Sequence, residues 1–164
     1  MLVHLIADYG HGDLAFAEVV QRIKSFLPDA EIMLTPVPSF STLAAGFCVA
    51  QLGLNDPPAG TLLFQNVAPR MDDKRVRTGN AGERLAYARL ITGVRVIGVN
   101  AGYSFSFVRG ASEELRWVSV PAEGSQFRSR DLFPRAIAKI AQGNAGILAE
   151  KISLDQIPEI PKNR

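Results

Sequence analysis

The sequence predicts an α/β protein, with a mostly parallel sheet flanked by helices and additional strands in its second half. Apolar strand-like segments alternate with helix-like segments through the first half, which is typical of βαβ units and a parallel sheet. The second half holds more strand-like segments, which favours an added mixed or antiparallel portion. At 164 residues the chain fits a single domain with a substantial core.

Helix-like segments lie between the first predicted strands. After Asp13, apolar residues recur on one helix face, and Pro28 ends that helix because proline cannot continue the hydrogen-bond ladder. A second helix is predicted at Thr42–Leu54, with Ser41 as its cap. Strands are predicted at residues 1–7, 31–37, 61–67, 83–92, 94–99 and 115–120, a loop at 100–108, and a last amphipathic helix from Asp131 to near Gly143.

Composition argues against several functional classes. The formal net charge of +2 gives no reason to expect a nucleic-acid partner. No apolar run reaches the roughly 18 residues that span a bilayer, so no membrane partner is expected. The first residues lack a basic segment before an apolar core, so we expect no secretory signal. Cys48 is the only cysteine, which indicates a reduced, cytoplasmic setting.

The turn after the first strand is the best candidate for a ligand site. In α/β proteins the ligand crevice lies at the carboxyl ends of the strands. The turn places two carboxylates, Asp8 and Asp13, and the aromatic Tyr9 at such an end. A carboxylate suits a ribose because it accepts hydrogen bonds from two neighbouring hydroxyls. A helix cap is the role that the sequence favours for Asp13, and both roles are compatible only if one of its oxygens remains free.

Three other features of the sequence are weaker evidence for a binding site. The Gly-His-Gly of the same turn lacks the further glycines of a dinucleotide site and the Gly-Lys-Ser/Thr ending of a P-loop. His4 and His11 are the only histidines, and no paired spacing supports a metal site, so no metal is expected. Residues 125–131 (Ser-Gln-Phe-Arg-Ser-Arg-Asp) place a hydroxyl and backbone N–H groups at the start of the last helix. That segment suits an anion or water site, but taken alone it is better interpreted as a capping segment.

Four motifs, in the same order along the chain, resemble the S-adenosylmethionine (SAM) hydrolase and halogenase family. Residues 7–13 (Ala-Asp-Tyr-Gly-His-Gly-Asp) are similar to its opening Thr-Asp-Phe-Gly-x-x-Asp segment. Residues 26–30 (Phe-Leu-Pro-Asp-Ala) resemble its Ile-Ala-Pro-Asp-Ala run, and residues 37–41 (Val-Pro-Ser-Phe-Ser) its proline-aromatic loop. Residues 125–131 resemble its late Ser-Thr-Phe-x-(Gly/Ser)-Arg-(Asp/Glu) motif.

The resemblance implies cleavage of SAM to adenosine and methionine by water attack at the ribose 5′ carbon. SAM is then a substrate or ligand, and no cofactor is needed. The sulfonium is already a good leaving group, so the protein must supply mainly an aligned, desolvated nucleophile. Arg75 and Ser129 are implied near the nucleophile. The implied substrate-binding residues are Asp8, Tyr9, Asp13 (on the ribose), Phe40 (beside the sugar or sulfonium), Ser41, Asn100 and Arg128.

The sequence departs from the family at the groups that orient water. Ala68 stands at the position of an aspartate, and Arg128 at that of a histidine. An arginine cannot act as a base because its pKa exceeds about 12. The Pro-Asp-Asn-Gly loop reads Val-Asn-Ala-Gly around Asn100. Three functions therefore remain open: a divergent SAM hydrolase, a non-catalytic relative that binds SAM or adenosine, and a structural or interaction subunit.

The resemblance covers only part of the family's length. Residues 1–151 are similar to its amino-terminal domain, and residues 152–164 resemble the linker that precedes its carboxyl-terminal β-barrel. In the family that barrel binds part of the ligand within a trimer. The resemblance thus implies a small-molecule nucleoside ligand, and either a homo-trimer or a separate chain that supplies the barrel.

Overall fold

The computed structural model describes residues 1–68, 84–121 and 127–161, and within them seven strands form one mixed sheet. This confirms the predicted α/β class. The strand order across the sheet is β2-β1-β3-β5-β4-β6-β7. The strands are β1 (Leu2–Ala7), β2 (Glu31–Pro36), β3 (Leu62–Asn66), β4 (Leu85–Leu90), β5 (Arg95–Val99), β6 (Ser112–Val118) and β7 (Leu148–Lys151). The helices are α1 (Leu14–Phe26), α2 (Thr42–Leu54), α3 (Arg128–Asp131) and α4 (Phe133–Ala141).

The sheet is parallel in its first half and antiparallel in its second, as the sequence predicts. β1 pairs in parallel with β2 and β3, and β3 with β5. β4 runs antiparallel to both β5 and β6, and β7 antiparallel to β6. The four parallel strands therefore end at one edge, which we call the carboxyl edge. From β1 the chain continues to β2 on one side, and from β3 it continues to β4 on the other side, beyond β5. The gap between β1 and β3 is therefore a topological switch point, where open α/β sheets bind ligands.

Helices cover both faces of the sheet. α1 and α4 pack on one face, where Phe16, Val19 and Ile23 form the buried stripe that the spacing predicts. α2 and a 3₁₀ helix at Ser106–Ala111 cover the other face. α2 packs closely against its neighbours because small residues lie on its buried side: a Cβ at Gly46 would come within 2.3 Å of the Tyr103 carbonyl oxygen.

Several boundaries differ from the prediction. The last helix is two helices, α3 and α4, which meet at Leu132, and Pro134 starts the second because its missing N–H is tolerated in a first turn. β6 begins three residues early, in polar residues: Ser112 pairs with Leu90 of β4 and Glu114 with Arg89. Ion pairs from Arg89 reach Glu113 and Glu114. An apolar pattern cannot detect such a start. The expected loop at 100–108 already contains the beginning of the 3₁₀ helix.

The carboxyl-terminal part of the chain is packed against the sheet. β7 was not predicted, and after it Ile152 and Ile157 are buried in the core on the α2 face. The segment expected as a linker-like tail therefore contributes to the domain as far as the described residues extend. Within those residues, no helix is long and apolar enough to cross a membrane.

Candidate functional site

The turn after β1 brings Asp13 to the start of α1. The Asp13 N–H donates to the Gly10 carbonyl at 3.0 Å, and Gly12 takes a φ of 78°, which glycine adopts without steric cost. Oδ1 of Asp13 accepts the Ala15 N–H at 2.8 Å, so the predicted cap is present. The side chain is solvent-exposed, and its second oxygen accepts no hydrogen bond from the described residues. Among the described residues, therefore, one carboxylate oxygen of Asp13 remains free, as a ribose-binding role requires.

Asp8 supports the loop that follows β2. Its Oδ2 accepts the backbone N–H of Phe40 at 2.8 Å. Phe40 has a φ of 60°, a left-handed conformation that is uncommon for a bulky side chain, and is 36% exposed. The next residue, Ser41, caps α2 by accepting the Ala44 N–H at 3.2 Å. The carboxylate of Asp8 therefore holds an exposed aromatic ring in a strained backbone position, which is a common feature of functional loops.

Tyr9 bridges the switch point between β1 and β3. Its hydroxyl lies 2.7 Å from Oγ of Ser129 on α3, a residue 120 positions away. It also accepts a hydrogen bond at 2.9 Å from Nδ2 of Asn66, the last residue of β3. The ring packs edge-on against Phe16 and Phe127, at centroid distances of 5.0 and 6.0 Å. Tyr9 thus joins β1, β3 and α3 through one side chain.

Burial favours the protonated form of the Tyr9 hydroxyl. Loss of solvent raises its pKa to about 12, against the smaller opposing effect of the hydrogen bonds with Ser129 and Asn66. A protonated phenol donates one hydrogen bond and accepts others, so it matches the partners that it has here. Ser129 is 4% exposed, and its oxygen accepts from this phenol.

Arg128 and Asn100 have structural contacts of their own. The guanidinium of Arg128 lies over the Phe133 ring, 5.2 Å from its centroid, and its Nε is buried without a hydrogen-bond partner in the described part of the chain. Asn100 follows β5, and its Nδ2 donates to the Gln156 carbonyl at 3.4 Å. Asn100 therefore touches the carboxyl-terminal segment.

The structure brings most of the predicted site residues to the carboxyl edge. Asp8, Tyr9, Asp13, Phe40, Ser41 and Asn100 follow parallel strands there, and Ser129 reaches the same edge through Tyr9. Ala68, at the position where the family has an aspartate, packs its methyl group against the core on the α1 face. Arg75 and the first residues of the late motif, including Ser125, lie outside the described residues.

Asn66 joins the candidate site through its hydrogen bond to Tyr9, and the sequence did not indicate it. It ends an apolar strand at the carboxyl edge, and that position is the one signal that marks it. Together the described side chains offer an exposed carboxylate at Asp13 and an exposed aromatic surface at Phe40. At the same edge, Tyr9, Asn66 and Ser129 form a hydrogen-bonded group. This arrangement suits recognition of a polar ring-bearing molecule.

Comparison with solved structures identifies the same architecture in longer proteins. An uncharacterised conserved protein of Thermotoga maritima superposes with a TM-score of 0.74 at 16% sequence identity, over 98% of this chain and 61% of that one. A conserved hypothetical protein of Thermus thermophilus gives 0.68 at 18% identity, over 97% and 61%. No family model and no curated protein matches the sequence. These likenesses establish the α/β fold, and this chain spans about three-fifths of the length of both.

Proposed function

We propose that this protein binds a ribonucleoside, SAM or adenosine, at the carboxyl edge beside β1 and β2. One observation carries the proposal: direct hydrogen bonds join segments that the family resemblance assigns to a single site. Tyr9 contacts Ser129 at 2.7 Å, and Asp8 contacts the Phe40 backbone at 2.8 Å. These two contacts bring together residues that are distant in sequence, as a shared ligand site would require.

Asp13 is the residue proposed to hold the ribose. Its position at the helix start uses one carboxylate oxygen, and the other is exposed to solvent. A carboxylate oxygen accepts hydrogen bonds from a 2′ or 3′ hydroxyl, and such bonds to an ionised group are the stronger kind. Phe40 offers an exposed ring on which a sugar or base packs. The proposal places this binding in the cytoplasm, in keeping with the single cysteine.

Cleavage of SAM by water is the second candidate. The contact between Tyr9 and Ser129 favours it, because it joins a substrate-binding segment to the residue implied near the nucleophile. By the sequence resemblance, Ala68 and Arg128 occupy the positions at which the family has water-orienting groups. Loss of a positioned acid or base typically slows a reaction about 10²–10⁴-fold. We therefore rank binding ahead of turnover.

Calorimetric titration of the purified chain with SAM and with adenosine tests the binding proposal. We expect saturable binding to wild type and weaker binding to Asp13→Asn, which retains a capping oxygen but loses the charge. Asp29→Asn is the matched control, since Asp29 is exposed in the loop before β2, at the opposite edge of the sheet. Equal affinities for the two variants, or no heat with wild type, would contradict the proposal.

A separate assay addresses turnover. Incubation with SAM, followed by chromatography for adenosine and methionine, measures cleavage above the rate in buffer alone. Adenosine released in proportion to protein, and lost in Asp13→Ala, supports the hydrolase candidate. Binding without release supports the non-catalytic one.

A further inference from the structure

The two outer strands of the sheet differ in how they are protected. β7 is four residues long, ends in Glu150 and Lys151, and pairs with β6 through an irregular register. Short length, charge and irregular pairing are the usual means of protecting an edge. β2 is less protected: it carries Glu31 and Pro36 at its two ends, but its six residues pair with β1 in unbroken register, and Met33 and Leu34 are 54% and 47% exposed.

The free hydrogen-bonding groups of β2 belong to alternate residues. The N–H groups of Glu31 and Val37 donate to Met1 and Ala7, each at 3.0 Å. Because alternate residues of a strand direct their backbone groups to opposite sides, the even-numbered ones face away from β1. Ile32 and Leu34 therefore present N–H and C=O groups outward, and these have no partner among the described residues.

Both ends of this outward row are closed. At one end the Ala30 N–H donates to Leu27 at 3.1 Å, and the Ala30 carbonyl accepts from Lys24 Nζ at 3.1 Å. At the other end Pro36 has no N–H to donate. Ala30 and Pro36 are equally distant from Met33. The open stretch is therefore symmetric about one residue, as a strand that pairs with a copy of itself requires.

We infer that β2 pairs antiparallel with β2 of a second copy of this chain, about a twofold axis at Met33. In this register Ile32 and Leu34 of one copy each exchange two hydrogen bonds with Leu34 and Ile32 of the other, which satisfies every outward N–H. Pro36, which lacks a donor, lies opposite Ala30, whose donor is already used. Such an interface is isologous and closed, so it yields a dimer.

The side chains fit this register. Met33 faces Met33 of the other copy at the axis, and exposed Leu34 faces Ile32 on the other side of the sheet. Glu31, the single charged residue of β2, faces Thr35, so no like charges lie opposite. The paired segment is short, so we expect the interface to bury less than the about 1,600 Å² of a typical stable interface. We therefore expect dimers that form as concentration rises.

A charge-swap experiment tests the register directly. In sedimentation equilibrium, wild type is expected to move from the mass of one chain toward twice that mass as concentration rises. Met33→Lys alone and Met33→Glu alone are expected to stay monomeric, because each places like charges opposite at the axis. An equimolar mixture of the two variants is expected to recover the dimer. Ile91→Lys, at an exposed apolar residue in the turn after β4, is the control and should dimerise like wild type.

Cross-linking supplies a second measurement. In a Cys48→Ala background, Met33→Cys is expected to form an intermolecular disulfide under mild oxidation, because Cα atoms in such a pair lie about 4.5 Å apart. Leu34→Cys, whose counterpart is a diagonal neighbour, should cross-link much more slowly. A wild-type monomer at all concentrations, a trimer, or equal cross-linking at both positions would overturn the inference. None of these results depends on nucleoside binding.

Discussion

Two nearby residues after β1 lie in opposite environments. Tyr9 turns into the protein, where its ring packs against Phe16 and Phe127 and its hydroxyl contacts Ser129. Asp13, four residues later, is exposed and uses one carboxylate oxygen for a helix cap. The family resemblance assigns residues of both environments to a ligand. The difference teaches that groups on the exposed side are available to bind a ligand. Groups on the buried side are already hydrogen-bonded to one another, and they support the exposed side.

The largest expected effect belongs to the buried side. Tyr9→Ala removes a packed ring and leaves Asn66 and Ser129 without their shared partner, so we expect the free energy of unfolding to fall by about 3 kcal/mol. Urea denaturation measures it. Phe40→Ala, which truncates an exposed ring, should cost much less. Equal losses of unfolding free energy in these two variants would contradict the distinction between the buried and the exposed side.

Alkaline pH probes the same hydroxyl. The folded-state pKa of Tyr9 is raised from 10.0 to about 12, so its contribution to stability is fully present below pH 10 and is lost as pH rises toward 12. The loss is on the order of 2 kcal/mol. Tyr9→Phe should lack this part of the decline, which denaturation curves across that range would reveal. Parallel declines in the two proteins would mean that burial of the phenol has no such effect.

Ser129→Ala tests whether Ser129 supports the fold or contacts the ligand. The variant leaves the phenol short of one partner, and we expect a loss of about 1 kcal/mol in unfolding free energy. Its dissociation constant for adenosine should change less than about twofold, since the hydroxyl is buried and already paired. A large loss of affinity with little loss of stability would instead place Ser129 against the ligand.

The smallest effect is expected for the cap. Asn and Asp are comparable capping residues, so Asp13→Asn should alter the free energy of unfolding by less than about 0.5 kcal/mol, whereas Asp13→Ala should cost about 1 kcal/mol. Thermal and urea denaturation of both variants check this. A marked destabilisation by the asparagine would show that the charge itself holds the turn, and would complicate any binding result.

The sequence predicted most of the first half of the fold because its elements are local. Apolar runs and helical spacing give β1 through α2 within a residue or two, and Asp13 and Ser41 were found as caps from position alone. The division between α3 and α4 was missed although Pro134 marks the start of the second helix. β7 was missed because it depends on pairing with the distant strand β6 rather than on a local pattern. Asn66 was missed for the same reason, since its partner Tyr9 is 57 residues away.

The central claim, that an exposed carboxylate at the start of α1 recognises a ribose, is tested most directly by the affinity of Asp13→Asn for adenosine beside that of wild type. Loss of one charged hydrogen-bond acceptor is expected to weaken binding about tenfold or more, with the fold unchanged. A wild-type protein that binds neither adenosine nor SAM, or a variant that binds as tightly as wild type, would contradict the account.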